Sequence, residues 1–348
     1  MTTISQTMKA WIYSKPGQVT NVLRLEPHYP TPPAPKQNEI MIRISYVSLN
    51  PGDAKMIIKP IPFRKSAIAG MDFVGEIVQL GPSPSPSSQN YLRVGSIVAG
   101  TVPMTSILYG AGSLAEYLVV PTHAVVEKPE TLEEPAAAGL LGIVGQTGVT
   151  ILRAAGLKKG DSVLVNGASG GVGCVLVQIL RGKGVRVTGV CSGRNEALVR
   201  RLGADEVIDY TLHKNLYDHL TSSRYSFDAI IDCVGDDSLY FRSPGYLKVD
   251  GKYHSIDKGP FGFIAAFKFN YLPAFLGGRG VSRRRYESVF SNPAGSSAKE
   301  VVELFEKGDV KELPIDSIFG MDDVLQAFDK LATKRAVGKI LVKVDGSR

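Results

Sequence analysis

Residues 163–194 read VLVNGASGGVGCVLVQILRGKGVRVTGVCSGR and predict a strand, a glycine-rich turn, a helix and a second strand. The first strand covers the apolar residues 163–165, and the turn follows directly. Apolar residues then recur at helical spacing over 172–180, and a second apolar run covers 185–190. In such a βαβ unit a phosphate group binds at the positive N-terminus of the helix. The stretch therefore predicts a dinucleotide-binding domain built on a parallel sheet.

The turn carries the spacing of the G-x-G-x-x-G fingerprint, with Ala168, Gly170 and Gly173 at its three positions. Small residues there let the backbone approach a pyrophosphate. The predicted cofactor contacts in this turn are Ala168, Ser169, Gly170, Gly171, Val172 and Gly173. An ordinary tight turn is the alternative interpretation of these glycines, and their position between a strand and a helix disfavours it.

The end of the second strand indicates which dinucleotide binds. An NAD site carries Asp or Glu roughly 20 residues after the glycines, where the acid binds the ribose 2′-hydroxyl. In this chain Ser192, Gly193 and Arg194 occupy that place. A hydroxyl, a turn and a guanidinium suit a 2′-phosphate, so Ser192 and Arg194 predict NADPH as the cofactor. Asp209 is the neighbouring acid, and it is discounted because it ends a later strand.

Length and composition predict a globular protein of two domains. The chain has 348 residues, 44% of them hydrophobic and 21% charged, and a single core rarely serves so long a chain. The start, MTTISQTMKA, has no apolar signal region and no arginine-rich amphipathic stretch, so a cytoplasmic protein is expected. The net charge is +7, but the basic residues are scattered along the chain, so no nucleic acid partner is expected.

Two regions of the chain differ in their pattern. The first 125 residues contain short apolar or alternating runs separated by Pro, Gly and Ser, which is typical of a compact β-rich domain. From about Pro129 helical and strand patterns alternate, which predicts a parallel sheet covered on both faces. Residues 298–307 and 322–332 then predict amphipathic helices, and residues 339–344 predict a last strand.

Six blocks of sequence follow one another in an order that can be recognised. They are MKAWIYSKPG (8–17), SLNPGDAKM (48–56), AGMDFVGEIVQLG (69–81), NGASGGVG (166–173), LGADEVIDY (202–210) and GKILVKV (338–344). With these blocks the chain resembles the medium-chain dehydrogenase/reductase superfamily, and within it the zinc-free quinone oxidoreductase branch. The resemblance covers nearly the whole chain.

The resemblance implies an α/β fold class with two domains. Residues 128–295 are expected to form a Rossmann domain with a doubly wound parallel sheet that binds NADPH. Residues 1–127 and 296–348 are expected to form a β-rich, GroES-like barrel, the catalytic domain, with the reaction in the cleft between the domains.

The resemblance also bears on metal binding. Zinc enzymes of the superfamily carry a Cys in the region of Asn50 and Gly-His-Glu where this chain has Gly70, Met71 and Asp72. No cysteine occurs before Cys174, so the four-cysteine lobe of those enzymes is missing as well. Because the ligand types are absent, no metal is expected.

Hydride transfer from NADPH to a conjugated acceptor is the reaction that the resemblance implies. When a hydride adds to an enone, an enoyl thioester or a quinone, the product is an enolate. Hydrogen-bond donors can stabilise its negative charge without a metal. Asn50 is expected to be such a donor, with Asp53 and Lys55 near it, and Tyr46 is a further candidate for a phenolic proton. The alternatives are that Asn50 only organises the Asn-Pro-Gly turn and that Tyr46 only packs in its strand.

Further cofactor contacts follow from the same resemblance. Thr147 lies in the region that meets the nicotinamide end, and Tyr210 is expected near the adenosine. Cys233 and Val234 are expected at the carboxyl edge of a buried strand, where ligands bind in open α/β sheets. His254 lies near the same edge and is a candidate for proton relay. In the alternative interpretation Thr147 is a helix-interior residue, Cys233 an inert thiol and His254 a structural side chain.

The segment 257–290 has an unusual composition, because five phenylalanines precede a basic stretch. We interpret it as a substrate-pocket wall or a homodimer surface in preference to an interfacial membrane contact. Lys268, Asn270 and Pro273 interrupt its apolar run, which is too short to span a bilayer, so no stable membrane insertion is expected. A pocket wall of this kind predicts a bulky apolar substrate.

Three functions are compatible with these residues. The first is an NADPH-dependent reductase of small-molecule enones, enoyl groups or quinones. The second is a zinc-free carbonyl reductase or alcohol dehydrogenase, which differs in the atom that receives the hydride. The third is a non-catalytic NADPH-binding partner protein, which binds the cofactor without turnover.

Overall fold

The chain forms two compact units in the computed structural model. The structure describes residues 4–59, 66–82, 92–223, 225–259, 262–276, 278, 284–290 and 295–344. The first unit consists of Met1–Gln146, Asn292–Glu303 and Leu313–Arg348, and the second consists of Thr147–Ser291 and Leu304–Glu312.

The first unit is rich in strands because its sequence alternates apolar and polar residues between short turns. Its strands before the second unit are β1 (Thr7–Tyr13), β2 (Arg24–Pro30), β3 (Glu39–Ser48), β4 (Ala67–Ile68), β5 (Asp72–Leu80), β6 (Ile97–Thr101), β7 (Tyr117–Pro121) and β8 (Val125–Glu127). The helices over the same stretch are α1 (Val19–Val22), α2 (Pro51–Ile58), α3 (Met104–Leu108), α4 (Glu134–Leu140) and α5 (Ile143–Ala155), of which α5 continues into the second unit.

The second unit alternates strands and helices, as the βαβ pattern predicts. Its strands are β9 (Ser162–Asn166), β10 (Arg186–Cys191), β11 (Glu206–Asp209), β12 (Phe227–Asp232), β13 (Leu247–Ser255) and β14 (Arg285–Ser288). Its helices are α6 (Gly171–Gly182), α7 (Glu196–Arg201), α8 (Leu216–Ser222), α9 (Asp237–Phe241) and α10 (Gly262–Tyr271). The last elements of the chain are α11 (Gly295–Glu306), β15 (Ile315–Gly320), α12 (Val324–Ala332) and β16 (Lys339–Lys343).

A seven-stranded sheet organises the first unit. Its order is β15-β16-β3-β5-β6-β8, and β7 also pairs with β3. Alternate residues of β3, among them Ile40, Ile42 and Ile44, point into the hydrophobic core. Trp11 of the separate β2-β1-β4 sheet joins this core, and its indole Nε1 donates to the carbonyl of Met321 at 2.7 Å. The β-rich unit is thus held together by residues from both ends of the chain.

The second unit contains one six-stranded sheet in the order β11-β10-β9-β12-β13-β14. Every strand pair in it is parallel. Numbered within the unit, this order is 3-2-1-4-5-6, the arrangement of dinucleotide-binding domains. The predicted doubly wound sheet is therefore confirmed, and its strand order reverses next to β9.

The division of the chain differs in detail from the one expected from the sequence. The first unit extends to Gln146 because α4 packs against β3 and β5. The stretch Leu304–Glu312 belongs to the second unit, where Gln178 of α6 accepts from the N–H of Lys311 and donates to the carbonyl of Glu312. Such long-range contacts cannot be read from local pattern.

The lengths of the helices bear on membrane crossing. In the part of the chain that the structure describes, no single helix is long and apolar enough to cross a membrane. The helices α4 and α5, with a bend of 43° between them, are together long and apolar enough for a span, by length and composition only.

Candidate active site

The glycine-rich turn of the second unit lies between β9 and α6. Asn166 ends the strand, and α6 begins at Gly171 after Gly170 as its N-cap residue. Gly167 adopts a φ of +80°, a left-handed conformation that favours glycine, and its carbonyl accepts from the N–H of Gly170 at 3.0 Å. The left-handed residue thus precedes Ala168, the first fingerprint position in our prediction, and Ala168 itself is buried.

Gly173 explains why the helix can approach the turn so closely. A Cβ atom at this position would lie 2.2 Å from the carbonyl oxygen of Gly167. Gly171 and Val172 lie in the first turn of α6. The N–H groups of this turn have no partner within the helix, and such a helix end binds anions. Half-buried Ser169 adds a hydroxyl to the same turn. The turn therefore fits the pyrophosphate of a dinucleotide.

A second turn follows β10 and carries the residues predicted to bind a 2′-phosphate. Half-buried Ser192 precedes the 3-10 turn Gly193–Asn195, and Arg194 is exposed within it. The amide Nδ2 of Asn195 donates to Ser169 Oγ at 3.0 Å and to Ser192 Oγ at 3.2 Å. Asn195 is not among the residues predicted from the sequence, since nothing in the local pattern shows that its amide reaches back to the first turn.

Asp209 lies beside this second turn. It ends β11, pairs with Cys191 at the end of β10, and accepts hydrogen bonds from the N–H and hydroxyl of Thr211 at 2.9 and 2.7 Å. The two bonds from Thr211 lower the pKa of Asp209, and a bond from the N–H of Gly193 lowers it further. The sequence disfavours Asp209 because it ends a later strand, but in the parallel sheet that strand is the neighbour of β10. The carboxylate therefore lies beside the turn that is predicted to bind the 2′-phosphate.

A third turn follows β12. The strand ends at Asp232, so Cys233 and Val234 lie directly beyond its carboxyl end. The buried carboxylate of Asp232 accepts from the backbone N–H groups of Val234, Gly235 and Asp236. Asn166 Nδ2 and the hydroxyl of Tyr253 donate to it as well, at 3.0 and 2.8 Å. Asp232 was not predicted, and it fixes the backbone of this turn next to the glycine-rich one.

Cys233 and Val234 in this third turn differ in their surroundings. Burial, followed by the charge of Asp232, raises the pKa of the Cys233 thiol, so this residue remains a neutral thiol at pH 7. Val234 is exposed, and one of its methyl groups would lie 2.9 Å from a Cβ at Gly167. Both residues therefore border the glycine-rich turn, and Val234 is the one whose apolar side chain is exposed beside it.

The other predicted cofactor residues lie in different environments. Thr147 is buried on α5, and Tyr210 is about half exposed at the start of the 3-10 turn Tyr210–Leu212. His254 is fully buried in β13. Burial, followed by the charge of Lys252, lowers the pKa of His254 to about 4, so its imidazole is neutral at pH 7. An enclosed neutral side chain of this kind fits the structural interpretation of His254 better than proton relay.

The first unit contains a cluster of five buried polar side chains, which we call the polar cluster: Asn50, Asp53, Asp72, Thr101 and Lys339. Lys339 Nζ donates to the carbonyl of Leu49 at 2.6 Å and to Asn50 Oδ1 at 2.7 Å. Asn50 Nδ2 donates to Asp72 Oδ2 at 2.8 Å. The loop after β3 is thus connected to β5 and to the last strand through one asparagine.

Asp72 extends the polar cluster to α5. Its Oδ1 accepts from the hydroxyl of Thr101 at 2.7 Å and from the N–H of Ile143, the first residue of α5, at 2.9 Å. A carboxylate at this end is favourable because it satisfies an unpaired N–H and opposes the positive end of the helix dipole. Gln146 on the same helix donates to Thr101 Oγ1 at 3.4 Å.

The charges of the polar cluster do not balance when both carboxylates are ionised. Burial raises the pKa of Asp53 to about 7 and that of Asp72 to about 6. The nearby ammonium of Lys339 opposes both shifts, and burial lowers its own pKa. One Oδ of Asp53 accepts from the N–H of Asn50 at 2.6 Å, whereas the other has no hydrogen-bond partner among the described residues. A proton on Asp53 near neutral pH therefore removes an uncompensated buried charge.

This geometry favours the second of the two roles considered for Asn50. Its Nδ2 group donates to Asp72 and also to the carbonyl of Ser48 at 3.2 Å, so both amide hydrogens are used inside the polar cluster. Asn50 therefore organises the loop and has no hydrogen left for a substrate oxygen. Lys55 lies exposed on α2, and half-buried Tyr46 lies in β3 between β5 and β16. The sequence had not indicated Lys339 because it lies at the other end of the chain.

The donor atoms of the described residues bear on metal binding. In the described ranges no group of three or more His, Cys, Asp or Glu side chains could hold a metal ion. In the polar cluster both oxygens of Asp72 accept hydrogen bonds and an ammonium is bonded to Asn50 Oδ1. These donors do not fit zinc, which prefers thiolate, imidazole and free carboxylate ligands.

Helix α10 in the second unit has two apolar faces. One packs on β14, where Asn270 accepts from the N–H of Tyr286 at 2.9 Å and Phe269 is buried. The other face exposes more than half of each of Phe263, Ile264, Phe267 and Tyr271, and we call these four residues the α10 face. Residues 260–261, 277, 279–283 and 291–294, next to or within the segment singled out in the sequence, lie outside the described residues.

Comparison with known proteins places the whole chain among oxidoreductases. The model of the alcohol dehydrogenase GroES-like domain matches residues 36–130, and that of the zinc-binding dehydrogenases matches residues 202–342. A medium chain reductase of Acremonium sp. is 32% identical and covers 98% of this chain and 100% of its own length. A trans-enoyl reductase of Penicillium oxalicum is 29% identical, over 97% of this chain and 98% of that protein.

Solved structures share the fold over the same extent. The quinone oxidoreductase from Coxiella burnetii has a TM-score of 0.78 and 27% sequence identity, and covers 97% of this chain and 99% of that one. The predicted combination of a GroES-like domain with a Rossmann domain is therefore confirmed.

Proposed function

The chain belongs to the medium-chain dehydrogenase/reductase superfamily, and from this premise we propose that it reduces conjugated C=C bonds or quinones with NADPH. Its relatives show that it is an NAD(P)H-dependent oxidoreductase of the quinone and enoyl reductase type. The choice of NADPH, the independence of zinc and the class of acceptor are the content of the proposal.

The observation that carries the proposal is the polar cluster. The resemblance places Asn50 at the zinc-binding Cys of alcohol dehydrogenases and Met71 at the His, and here Asn50 is hydrogen-bonded to Asp72 and to Lys339. A site closed by its own hydrogen bonds offers no Lewis acid to polarise the oxygen of a simple ketone. A conjugated acceptor needs less help, because the negative charge spreads from the β-carbon to the oxygen.

The choice of NADPH rests on the turn after β10. Ser192 and Arg194 provide a hydroxyl and a guanidinium, and the strand ends without an acid. Asp209 works against this choice, because its carboxylate lies at the same turn and repels a phosphate. We favour NADPH because the carboxylate is already bonded to Thr211 and to the N–H of Gly193, whereas the exposed Arg194 has no ion pair among the described residues.

The proposed reaction assigns a binding task to each turn. The first turn of α6 with Ser169 holds the pyrophosphate, and Ser192 with Arg194 holds the 2′-phosphate. Bound there, NADPH would supply a hydride to the β-carbon of the acceptor; the C=C π pair would then shift toward the carbonyl carbon, and the C=O π pair would move to oxygen. A proton then reaches the α-carbon. Because Asn50 has no free amide hydrogen, we assign this proton to water or to Tyr46 or Lys55.

The exposed residues of the α10 face support a bulky, apolar acceptor. Four large apolar side chains on one helix face are exposed to water, which is unfavourable in free energy. We propose that this face borders the acceptor, and a homodimer contact is the alternative that the same side chains allow.

The proposal is tested by NADPH and NADH consumption with the purified, metal-free protein. The acceptors are small quinones, small enones, bulky apolar enones and simple ketones, and product analysis locates the added hydrogen. We expect turnover with NADPH and conjugated acceptors, unchanged by a chelator. Turnover of ketones alone identifies a carbonyl reductase, and NADPH binding without any turnover identifies a non-catalytic partner protein; either result overturns the proposal.

A further inference from the structure

We propose that Asn195 is a positioning residue that directs two serine hydroxyls toward the phosphates of the bound dinucleotide. The two are Ser169 in the glycine-rich turn and Ser192 in the turn after β10. The inference rests on the proposed function, since the phosphates in question are those of NADPH. It adds a residue that acts through its neighbours and determines how strongly the 2′-phosphate is recognised.

The geometry consists of one amide between two hydroxyls. Asn195 Nδ2 lies 3.0 Å from Ser169 Oγ and 3.2 Å from Ser192 Oγ. The backbone N–H of Asn195 also donates to the carbonyl of Ser192 at 2.8 Å, which fixes the amide relative to the second turn. The two turns, which are more than 20 residues apart in sequence, are therefore connected by a single side chain.

The direction of these hydrogen bonds determines where the serine protons point. An amide NH₂ group has two hydrogens and only donates, so both serine oxygens act as acceptors toward Asn195. Each hydroxyl proton must then point away from the amide, and neither finds another acceptor among the described residues. The result is a pair of half-buried O–H donors without a partner among the described residues, and the second of the two turns also carries the exposed Arg194. Phosphate oxygens are the acceptors that such donors suit.

The position of Asn195 in its own helix supports this role. Asn195 is the N-cap residue of α7, where an asparagine side chain ordinarily accepts from the N–H groups of the first turn. Its side chain makes no such bond here. The side chain of Asn195 therefore connects the two turns and does not stabilise α7, as is expected of a residue whose role is in binding.

The two serines face different parts of the dinucleotide, and this predicts a specific signature. Ser169 lies in the turn that holds the pyrophosphate, which NADPH and NADH share. Ser192 lies in the turn for the 2′-phosphate, which only NADPH carries. Loss of Asn195 therefore weakens the binding of both nucleotides, but it weakens the nucleotide with a 2′-phosphate more.

The test measures dissociation constants by titration calorimetry with 2′,5′-ADP and 5′-AMP, two probes that differ only in the 2′-phosphate. For Asn195→Ala we expect Kd to rise about tenfold for 2′,5′-ADP and about threefold for 5′-AMP. Asn195→Asp keeps the shape and can cap α7, but its carboxylate accepts from both serines and turns their protons inward. We expect its Kd for 2′,5′-ADP to rise about thirtyfold or more.

A double-mutant cycle separates positioning from a merely structural effect. If Asn195 acts through Ser192, then in a Ser192→Ala background Asn195→Ala raises Kd for 2′,5′-ADP only about threefold, as it does for 5′-AMP. Thr221→Ala is the control, since it also removes one side-chain hydrogen bond, from Thr221 Oγ1 to the carbonyl of Tyr217 on α8. Its Kd values should equal those of the wild type.

The outcomes distinguish this inference from the function on which it rests. Wild-type binding of 2′,5′-ADP together with unchanged Kd values in Asn195→Ala overturns the inference and leaves the proposed function standing. An equal rise in Kd for the two probes also overturns it. So does a rise in Kd of the double mutant that equals the product of the rises in the two single mutants. If the wild type binds neither probe, the proposed use of NADPH fails first and the inference fails with it.

Discussion

At the scale of single residues, a guanidinium and a carboxylate lie around one turn and act in opposite directions on a phosphate. Arg194 is exposed in the turn after β10, and Asp209 is in contact with Gly193 of the same turn. The balance between these two charges decides whether NADPH or NADH binds more tightly, because only NADPH brings a 2′-phosphate to this turn.

The arginine can be tested by Arg194→Ala. We expect Kd for NADPH to rise about tenfold, about 1.4 kcal/mol, with Kd for NADH nearly unchanged, because only the 2′-phosphate pairs with the guanidinium. Fluorescence titration of both cofactors measures this. Arg200→Ala on α7, which removes an exposed arginine paired with Glu196, is the matched control. An equal loss for both cofactors contradicts the 2′-phosphate assignment.

The carboxylate predicts the opposite change. Asp209→Asn keeps an acceptor for Thr211 and removes the negative charge, so we expect NADPH to bind about threefold tighter at low salt. The gain should shrink as ionic strength rises. If NADPH binding is unchanged and NADH binding is lost, Asp209 binds a ribose hydroxyl and the site is one for NADH.

Asp53 predicts how the stability of the first unit depends on pH. Its pKa is raised from 3.8 to about 7, so the folded state keeps a proton that the unfolded state loses above about pH 4. Stability therefore falls as pH rises from about 4 to about 7, and the raised pKa of Asp72 acts in the same direction. Urea unfolding of the wild type over this range should show the decline.

The substitution Asp53→Asn should flatten that profile. The neutral amide still accepts from the N–H of Asn50, and we expect it to stabilise the protein at pH 8 by about 1 kcal/mol relative to the wild type. Asp53→Ala removes the acceptor as well and should destabilise the protein at every pH. A profile for Asp53→Asn that is as steep as that of the wild type contradicts the assignment of the proton to Asp53.

At the scale of elements, the polar cluster attaches the last strand to the loop between β3 and α2. Lys339 begins β16 and lies 289 residues from its partner Asn50. The ammonium is buried, so its hydrogen bonds and the opposite charges of Asp53 and Asp72 must compensate for its desolvation. The cluster is thus a tertiary joint between elements that are remote in sequence.

Removal of the ammonium should loosen this joint. For Lys339→Met we expect a loss of about 3 kcal/mol in the free energy of unfolding at pH 8, because the carboxylates are left without a cation. Lys343→Met, an exposed lysine on the same strand, should change it by less than about 0.5 kcal/mol. Equal effects of the two substitutions in urea unfolding would show that the cluster contributes nothing to stability.

At the scale of the whole molecule, the α10 face is the largest departure from an ordinary polar surface that we describe. Phe263 and Phe267 lie one turn apart on it and are 66% and 58% exposed. Their replacement by serine leaves the buried face of the helix untouched. The face therefore can be changed without touching the nucleotide turns or the polar cluster.

The double substitution Phe263→Ser with Phe267→Ser separates the two interpretations of this face. We expect kcat/KM for a bulky apolar enone to fall about tenfold and that for a small quinone to stay constant, since only the larger acceptor buries apolar area there. Val249→Ser, at another exposed apolar residue, is the control. A shift to a smaller particle in sedimentation, with both rates unchanged, shows a homodimer contact and contradicts the pocket wall.

The amino-acid sequence by itself determined the βαβ unit, the parallel sheet and the turn that receives a pyrophosphate. These features depend on local periodicity and on glycines at fixed spacing, so residues 163–194 carry them without help from the rest of the chain. Only the tertiary structure decided that Asn195 reaches Ser169, that Asp209 touches Gly193 and that Lys339 uses Asn50. The physical reason is that strand pairing and side-chain burial bring together residues from distant positions, and no local pattern records which partners a buried polar group will find.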